Sequence, residues 1–322
     1  MDFNTNPENL PGTEELHRPR LRVVSIHELL ETNFPTRELL LAPWLRKQSL
    51  DMLYAWRGIG KTFVALEIAY SVATGGKFLK WQAPKPHGVL YVDGEMPGVA
   101  LQERVSRIVS SENLEPGPDM FRVLTPDLQE DPMPDLATTT GQRRIEDEIG
   151  PATDLIVIDN LSSLVRRAGR ENDAESWLSL QEWALGLRSQ GKSVLFVHHS
   201  GKGGGQRGTS KREDVLDNVI ALRRPPSYDP LQGCVFEVHF EKARGLSGPD
   251  IEPVQAKMTT FPDGTRKWEH HESEESIDGV IKEMIGLGMP RKEIIRELKE
   301  SHGKSQPTAY RLTEPFFRKP SP

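Results

Sequence analysis

Ala55-Trp56-Arg57-Gly58-Ile59-Gly60-Lys61-Thr62 has the G-x-x-x-x-G-K-[ST] spacing of a phosphate-binding loop, with alanine in place of the first glycine. Each remaining position has a job that other side chains do badly. Gly58 and Gly60 let the backbone turn its N–H groups toward a β-phosphate. Lys61 reaches the β- and γ-oxygens, Thr62 offers a hydroxyl to Mg²⁺, and the following helix points its positive end at the anion. Alanine at position 55 is acceptable wherever its φ is negative. Trp56 and Arg57 are bulky for such a loop. The motif is credible only between a strand and a helix. Residues 50–54 are a short apolar run, and residues 62–74 carry Phe63, Leu66, Ala69 and Ala73 at helical spacing before Gly75-Gly76. Residues 55–62 therefore read as the binding site for ATP.

Outward from this loop, strands and helices alternate. Strands are expected at 50–54, 88–93, 121–124, 155–158, 194–198, 219–222 and 235–241. A helix near 174–189 has Trp177, Leu180, Ala184 and Leu187 on one stripe. The alternation predicts an α/β fold with a mostly parallel central sheet covered on both faces. Hydrophobic residues make up 36% of the 322 and charged ones 27%, and no apolar run approaches the length of a membrane span. The expectation is a cytoplasmic protein with no membrane partner. Cys234 is the only cysteine, which excludes an internal disulfide or a cysteine-cluster metal site, and it reads as a buried strand position. A net charge of −6 argues against coating duplex DNA with the whole surface, but leaves room for local basic loops.

Four segments are expected. Residues 1–20 are polar and read as disordered, and 21–268 form the ATPase core. Residues 269–276, Glu-His-His-Glu-Ser-Glu-Glu-Ser, read as an acidic linker; the adjacent His270 and His271 point apart, which makes them poor metal ligands. Residues 277–322 read as a small helical module, with Ile277, Val280, Ile281, Met284 and Ile285 on a first helix and Ile294, Ile295 and Leu298 on a second. After Ser301-His302-Gly303-Lys304, a third helix spans 306–313. Three short helices with a glycine-containing turn fit a helix-turn-helix or an oligomerisation or partner-docking module. Within the core, the proline- and acid-rich residues 126–140 read as a surface loop.

Hydrolysis needs a metal carboxylate and a group to orient water. Leu155-Ile156-Val157-Ile158-Asp159 ends an apolar run in an acid, so Asp159 is expected to hold Mg²⁺ together with Thr62. Asn160 follows it, so the glutamate that many phosphate-loop ATPases carry there is missing. Val89-Leu90-Tyr91-Val92-Asp93-Gly94-Glu95 ends the strand after the phosphate-loop helix, and Glu95 at its tip is the expected base, with Asp93 as fallback.

This arrangement resembles the RecA/DnaB-like hexameric ATPases over about residues 23–268, and within them the RepA-type replicative helicases of plasmids. The resemblance implies a RecA-like P-loop core that forms a ring, most simply a hexamer, with ATP sites between subunits and single-stranded DNA in the channel. Val194-Leu195-Phe196-Val197-His198-His199 is similar to the strand whose last polar residue senses the γ-phosphate, which implies that role for His199, with His198 facing away. Gly201-Lys202-Gly203-Gly204-Gly205-Gln206-Arg207-Gly208 matches the family's DNA-contacting loop. Phe240-Glu241-Lys242-Ala243-Arg244-Gly245 resembles the K-x-R element projected into the neighbour's ATP site, with Arg207 competing with Lys242 and Arg244 for that role. No primase module is present, so a primase or initiator partner would be a separate chain. Two alternatives share these motifs: a non-unwinding RecA-like recombination or repair ATPase, and an ATP-dependent DNA-binding regulatory switch.

Overall fold

The computed structural model describes residues 21–34, 36–166, 173–200, 214–225, 228–272, 277–300 and 305–317. The chain divides into two units, 1–36 and 37–322. In the first, α1 (Ile26–Glu31) starts at a capping box: the Ser25 hydroxyl accepts the Glu28 amide while the Glu28 carboxylate accepts the Ser25 amide.

The second unit opens with a small antiparallel pair, β1 (Leu39–Leu41) and β2 (Leu45–Arg46). Then β3 (Leu50–Ala55) leads through the phosphate loop into α2 (Lys61–Thr74), which ends at Gly75 in the left-handed conformation. A second small pair, β4 (Lys77–Phe78) and β5 (Trp81–Gln82), follows. The next elements are β6 (Gly88–Asp93), α3 (Gly98–Glu112), β7 (Phe121–Leu124), α4 (Thr139–Glu146) and β8 (Thr153–Asp159). After α5 (Leu161–Leu164) and α6 (Asp173–Ser189) come β9 (Ser193–His199), β10 (Asn218–Arg223), β11 (Cys234–Ala243), β12 (Val254–Thr260) and β13 (Arg266–Glu272). Three short helices follow among the described residues: α7 (Ile277–Gly286), α8 (Arg291–Glu300) and α9 (Gln306–Phe317).

Among the described residues the main sheet has nine strands in the order β13-β12-β11-β10-β3-β9-β8-β6-β7. From β10 to β7 all neighbours are parallel, and β11, β12 and β13 extend that edge antiparallel. This is the expected α/β fold. Strand alternation sends side chains to two cores. Leu53, Tyr91, Val157 and Val197 pack against α2 and α3. Met52, Leu90, Ile158 and Phe196 pack against α4 and α6, where Trp177, Leu180, Ala184 and Leu187 are buried as their stripe predicts. With both faces covered, the open place for a ligand is the carboxyl edge of the strands, beside central β3. Among the described residues no helix is long and apolar enough to cross a membrane.

Two segments differ from the sequence reading. Glu269 to Glu272, read as the start of a linker, are the end of β13 and pair with β12. On this edge strand Trp268 packs on the core while its neighbours face water, so one aromatic carries the whole inward signal. Residues 126–140 are not wholly a surface loop. Met133 and Leu136 are buried against the α4–α6 core, and the Leu136 amide donates to the Leu164 carbonyl at 2.8 Å.

Candidate active site

The phosphate loop leaves β3 at Ala55, which is buried, ends the strand and lacks a positive φ. The missing first glycine thus costs no strain. Gly58 (φ 76°) and Gly60 (φ 126°) adopt the conformations that glycine serves. A Cβ on Gly60 would also lie 3.1 Å from the Cys234 sulfur. Cys234 is half-buried against the loop, its thiol 3.7 Å from the Ile59 carbonyl, and burial pushes its pKa up. Ile59 turns into the core, and Trp56 is 49% exposed.

The loop borders a cavity of about 730 Å³, within the size range of small-molecule sites. Arg57, Gly58, Gly60, Lys61, Thr62, Glu95, Asp159 and His199 all line it. Four strand or loop ends thereby deliver the predicted residues to one place. Lys61 is 7% exposed and its ammonium donates to the Trp56 carbonyl at 3.2 Å. Burial pulls its pKa down, opposed by the charges of Asp159 and Glu95.

Register fixes the carboxylates. Asp93 and Asp159 are direct partners on parallel β6 and β8, both on the α2 face. Asp159 is buried and accepts the Tyr91 hydroxyl at 2.7 Å. Burial raises its pKa, while bonds from Tyr91 and from the Thr62 hydroxyl oppose that rise. The Thr62 hydroxyl and the Asp159 carboxylate are therefore neighbours. Two hard oxygen donors at a phosphate loop fit Mg²⁺, which takes few protein ligands and completes its shell with phosphate and water.

Asp93 is occupied as a cap. Its carboxylate accepts the Glu95 and Met96 amides and, at 2.9 Å, the Thr125 hydroxyl. Glu95 projects into the cavity and accepts a bond from the Asn160 side-chain amide at 2.5 Å. Asn160 also caps α5, accepting the Ser163 amide at 3.3 Å. The turn between them is tight: a Cβ on Gly94 would lie 2.5 Å from the Ser163 hydroxyl and 2.6 Å from Leu164. The position where sequence reasoning saw only a missing glutamate thus holds the residue that anchors Glu95.

Alternation also separates the two histidines. His199 follows Leu195 and Val197 onto the α2 face and lines the cavity, whereas His198 follows Val194 and Phe196 to the other face and is buried. Lys242 and Arg244 are not brought to this cavity. Ala243 pairs with Asn218, and Asn218 with Asp51, at the opposite end of β3 from Ala55. There the Arg244 guanidinium lies 3.6 Å from the Asp217 carboxylate and donates to the Asp214 carbonyl, which also accepts from Lys242. Any role for this pair in ATP chemistry needs a second subunit. Arg207 and residues 201–208 lie outside the described residues.

Sequence reasoning missed two further cations. Arg224 donates to the Gly58 carbonyl at 3.0 Å and the Val235 carbonyl at 2.6 Å, and stacks over Tyr228 at 3.8 Å, bracing the loop from β10. Arg104 lines the cavity from α3, its guanidinium 4.4 Å from the Phe63 ring centre. Neither belongs to a spaced motif; only the fold shows their proximity.

A braced phosphate loop, a strand-end aspartate and a cavity-facing glutamate on one parallel sheet define a RecA-like P-loop ATPase, a class that binds ATP and typically Mg²⁺. The AAA domain family AAA_25 matches residues 14–205, more than half of the chain, and the protein belongs to that family. Among solved structures, a KaiC-like protein of the hyperthermophilic archaeon Pyrococcus horikoshii OT3 is similar at 15% identity and a TM-score of 0.48, covering 72% of this chain and 99% of its own. The RadB recombinase is similar at 15% identity and a TM-score of 0.45, covering 66% and 88%. A comparison with curated protein sequences finds no match.

Proposed function

We propose that the protein is a ring-forming ATPase, most simply a hexamer, that translocates on single-stranded DNA as a replicative helicase of RepA type. The observation that carries the reading is Glu95, held by Asn160 at the tip of β6 in the cavity of Lys61. This is where a base on the strand after the phosphate-loop helix must sit. Lys61 and the Gly58–Gly60 backbone bind the β- and γ-phosphates. Thr62 and Asp159 hold Mg²⁺, which neutralises developing phosphate charge when bound. Glu95 orients the attacking water and takes its proton. His199 reads the γ-phosphate and passes its state to residues 201–208, the proposed single-strand contact. Lys242 and Arg244, or Arg207, complete the neighbour's site, since an arginine in trans stabilises charge on the transferring phosphoryl group.

The first test is ATP hydrolysis with and without single-stranded DNA, with Lys61→Ala as the blank. Several-fold stimulation is expected; slow turnover indifferent to single strands overturns the translocase reading. A non-unwinding recombination ATPase would use the same pocket, and filaments instead of rings in electron micrographs would favour it.

A further inference from the structure

We propose that the C-terminal helices form a duplex-DNA-binding surface, with α9 seated in the major groove and α8 beside it on the phosphates. The surface is additional to any single-strand path through the ATPase core.

The module closes its own core. Ile281, Ile294, Leu298 and Ala309 are buried against one another, with Leu312 and Phe316 packed on them. Ala309 keeps α9 close to α8. Arg291 then fixes their geometry, donating to the Thr313 hydroxyl at 3.0 Å and the Tyr310 carbonyl at 2.9 Å. With residues 309, 312, 313 and 316 turned inward, the other face of α9 presents Gln306, Tyr310 and Arg311 to solvent. Two helices five residues apart in the chain, with polar and aromatic groups on the open face of the second, fit a helix-turn-helix.

Charge selects the partner. Nine Lys and Arg against six Asp and Glu from Ile277 to Pro322 give the module +3 on a chain of −6, so residues 1–276 carry −9. On α8 the cations fall in one stripe, Lys292, Arg296 and Lys299, all exposed, with glutamates on the adjacent stripe. The Lys299 ammonium donates to the Gln306 side-chain oxygen at 3.3 Å, so this stripe runs up to the start of α9. Among the described residues no carboxylate pairs with Lys292, Arg296, Lys299 or Arg311. A basic rail leading to a helix that offers arginine and glutamine matches phosphate contacts plus base-edge contacts, guanine for Arg311 and adenine for Gln306.

The test is fluorescence anisotropy of the full chain with a labelled 30-base-pair duplex and the matching single strand, titrated at several salt concentrations. The double variant Arg296→Ala/Arg311→Ala should weaken duplex binding about tenfold or more and flatten its log–log salt dependence by about one, the share of the Arg296 phosphate contact. Basal ATP hydrolysis and melting temperature should not change, because both side chains are exposed and neither lines the ATP cavity. Glu314→Gln, also exposed on α9, should tighten duplex binding, a gain that misfolding cannot produce. The proposal is overturned if the duplex does not bind, or if both variants bind it like the parent. Loss of self-association in the double variant at unchanged duplex affinity also overturns it and makes the module a subunit-docking element. Single-strand-stimulated hydrolysis, read on the same preparations, reports on the translocase separately.

Discussion

Replacing Glu95 with glutamine separates holding the site together from running the reaction. The carboxylate has two tasks in the structure: one oxygen accepts the Asn160 amide at 2.5 Å, and the group faces the cavity above Lys61. Glutamine keeps the side-chain volume and an oxygen that Asn160 can still bond, so the turn with Gly94 should persist. What disappears is proton acceptance. General-base catalysis contributes about 10² to 10⁴ in rate, which corresponds to about 3–5 kcal/mol of transition-state stabilisation. Turnover of Glu95→Gln should therefore fall by about that factor. ATP affinity should stay within about threefold, and tighten if anything, because a negative charge facing the polyphosphate is removed. Single-turnover hydrolysis and equilibrium binding of a non-hydrolysable ATP analogue measure the two quantities. Asn160→Ala supplies the graded comparison: the base remains but loses its anchor, and a loss of about tenfold in turnover is expected from misplacement alone. Turnover of Glu95→Gln within threefold of the parent refutes the assignment. The base would then be Asp93, which would have to give up the amide and hydroxyl bonds that now occupy it. Equal loss of binding and turnover would instead make Glu95 structural.

Arg224→Ala removes charge-assisted bonds to the Gly58 and Val235 carbonyls, each worth about 1.5–3 kcal/mol, so KM for ATP should rise about tenfold; an unchanged KM means the brace is idle. Gly94→Ala places a methyl against Ser163 and Leu164, and should cost about 1–3 kcal/mol in unfolding free energy along with at least tenfold in turnover. Wild-type melting temperature and turnover would count against that close approach. Arg244→Ala should abolish stimulated hydrolysis yet recover it in mixed assemblies where an intact Arg244 faces a working site, and absence of recovery would leave Arg244 as the Asp217 partner alone. Burial pushes the Glu67 carboxyl up to about 7 even though it accepts the Trp268 indole N–H at 2.8 Å. The folded state thus holds this proton more tightly than the unfolded chain. Stability from this group is present below pH 4.5 and is lost as pH rises toward 7, at up to about 1.4 kcal/mol per pH unit. Glu67→Gln should flatten the unfolding free energy against pH across that window relative to the parent, as read by denaturant titration; parallel curves would show that Glu67 does not titrate there.

The phosphate loop, the acid-ended strands and the α/β alternation are legible in the chain because local rules write them. Glycine is required where φ turns positive, and apolar runs are required where a strand is buried on both faces. Residues 50–62, Asp93, Glu95, Asp159 and the parity that separates His199 from His198 follow from such short-range constraints. The stripe of Trp177, Leu180, Ala184 and Leu187 is read the same way. Edge strand β13 escaped because only Trp268 faces the core and charged neighbours mask the alternation. Burial of Met133 and Leu136 within a proline-rich stretch depends on contacts with distant helices. Asn160 and Arg224 gain their meaning from groups 65 and 166 positions away, Glu95 and Gly58. A chain specifies its own periodicity, but the pairing of residues far apart in it is settled only when the strands take their order in the sheet. That order brings Asn160 to Glu95 and sends Arg244 to the far edge.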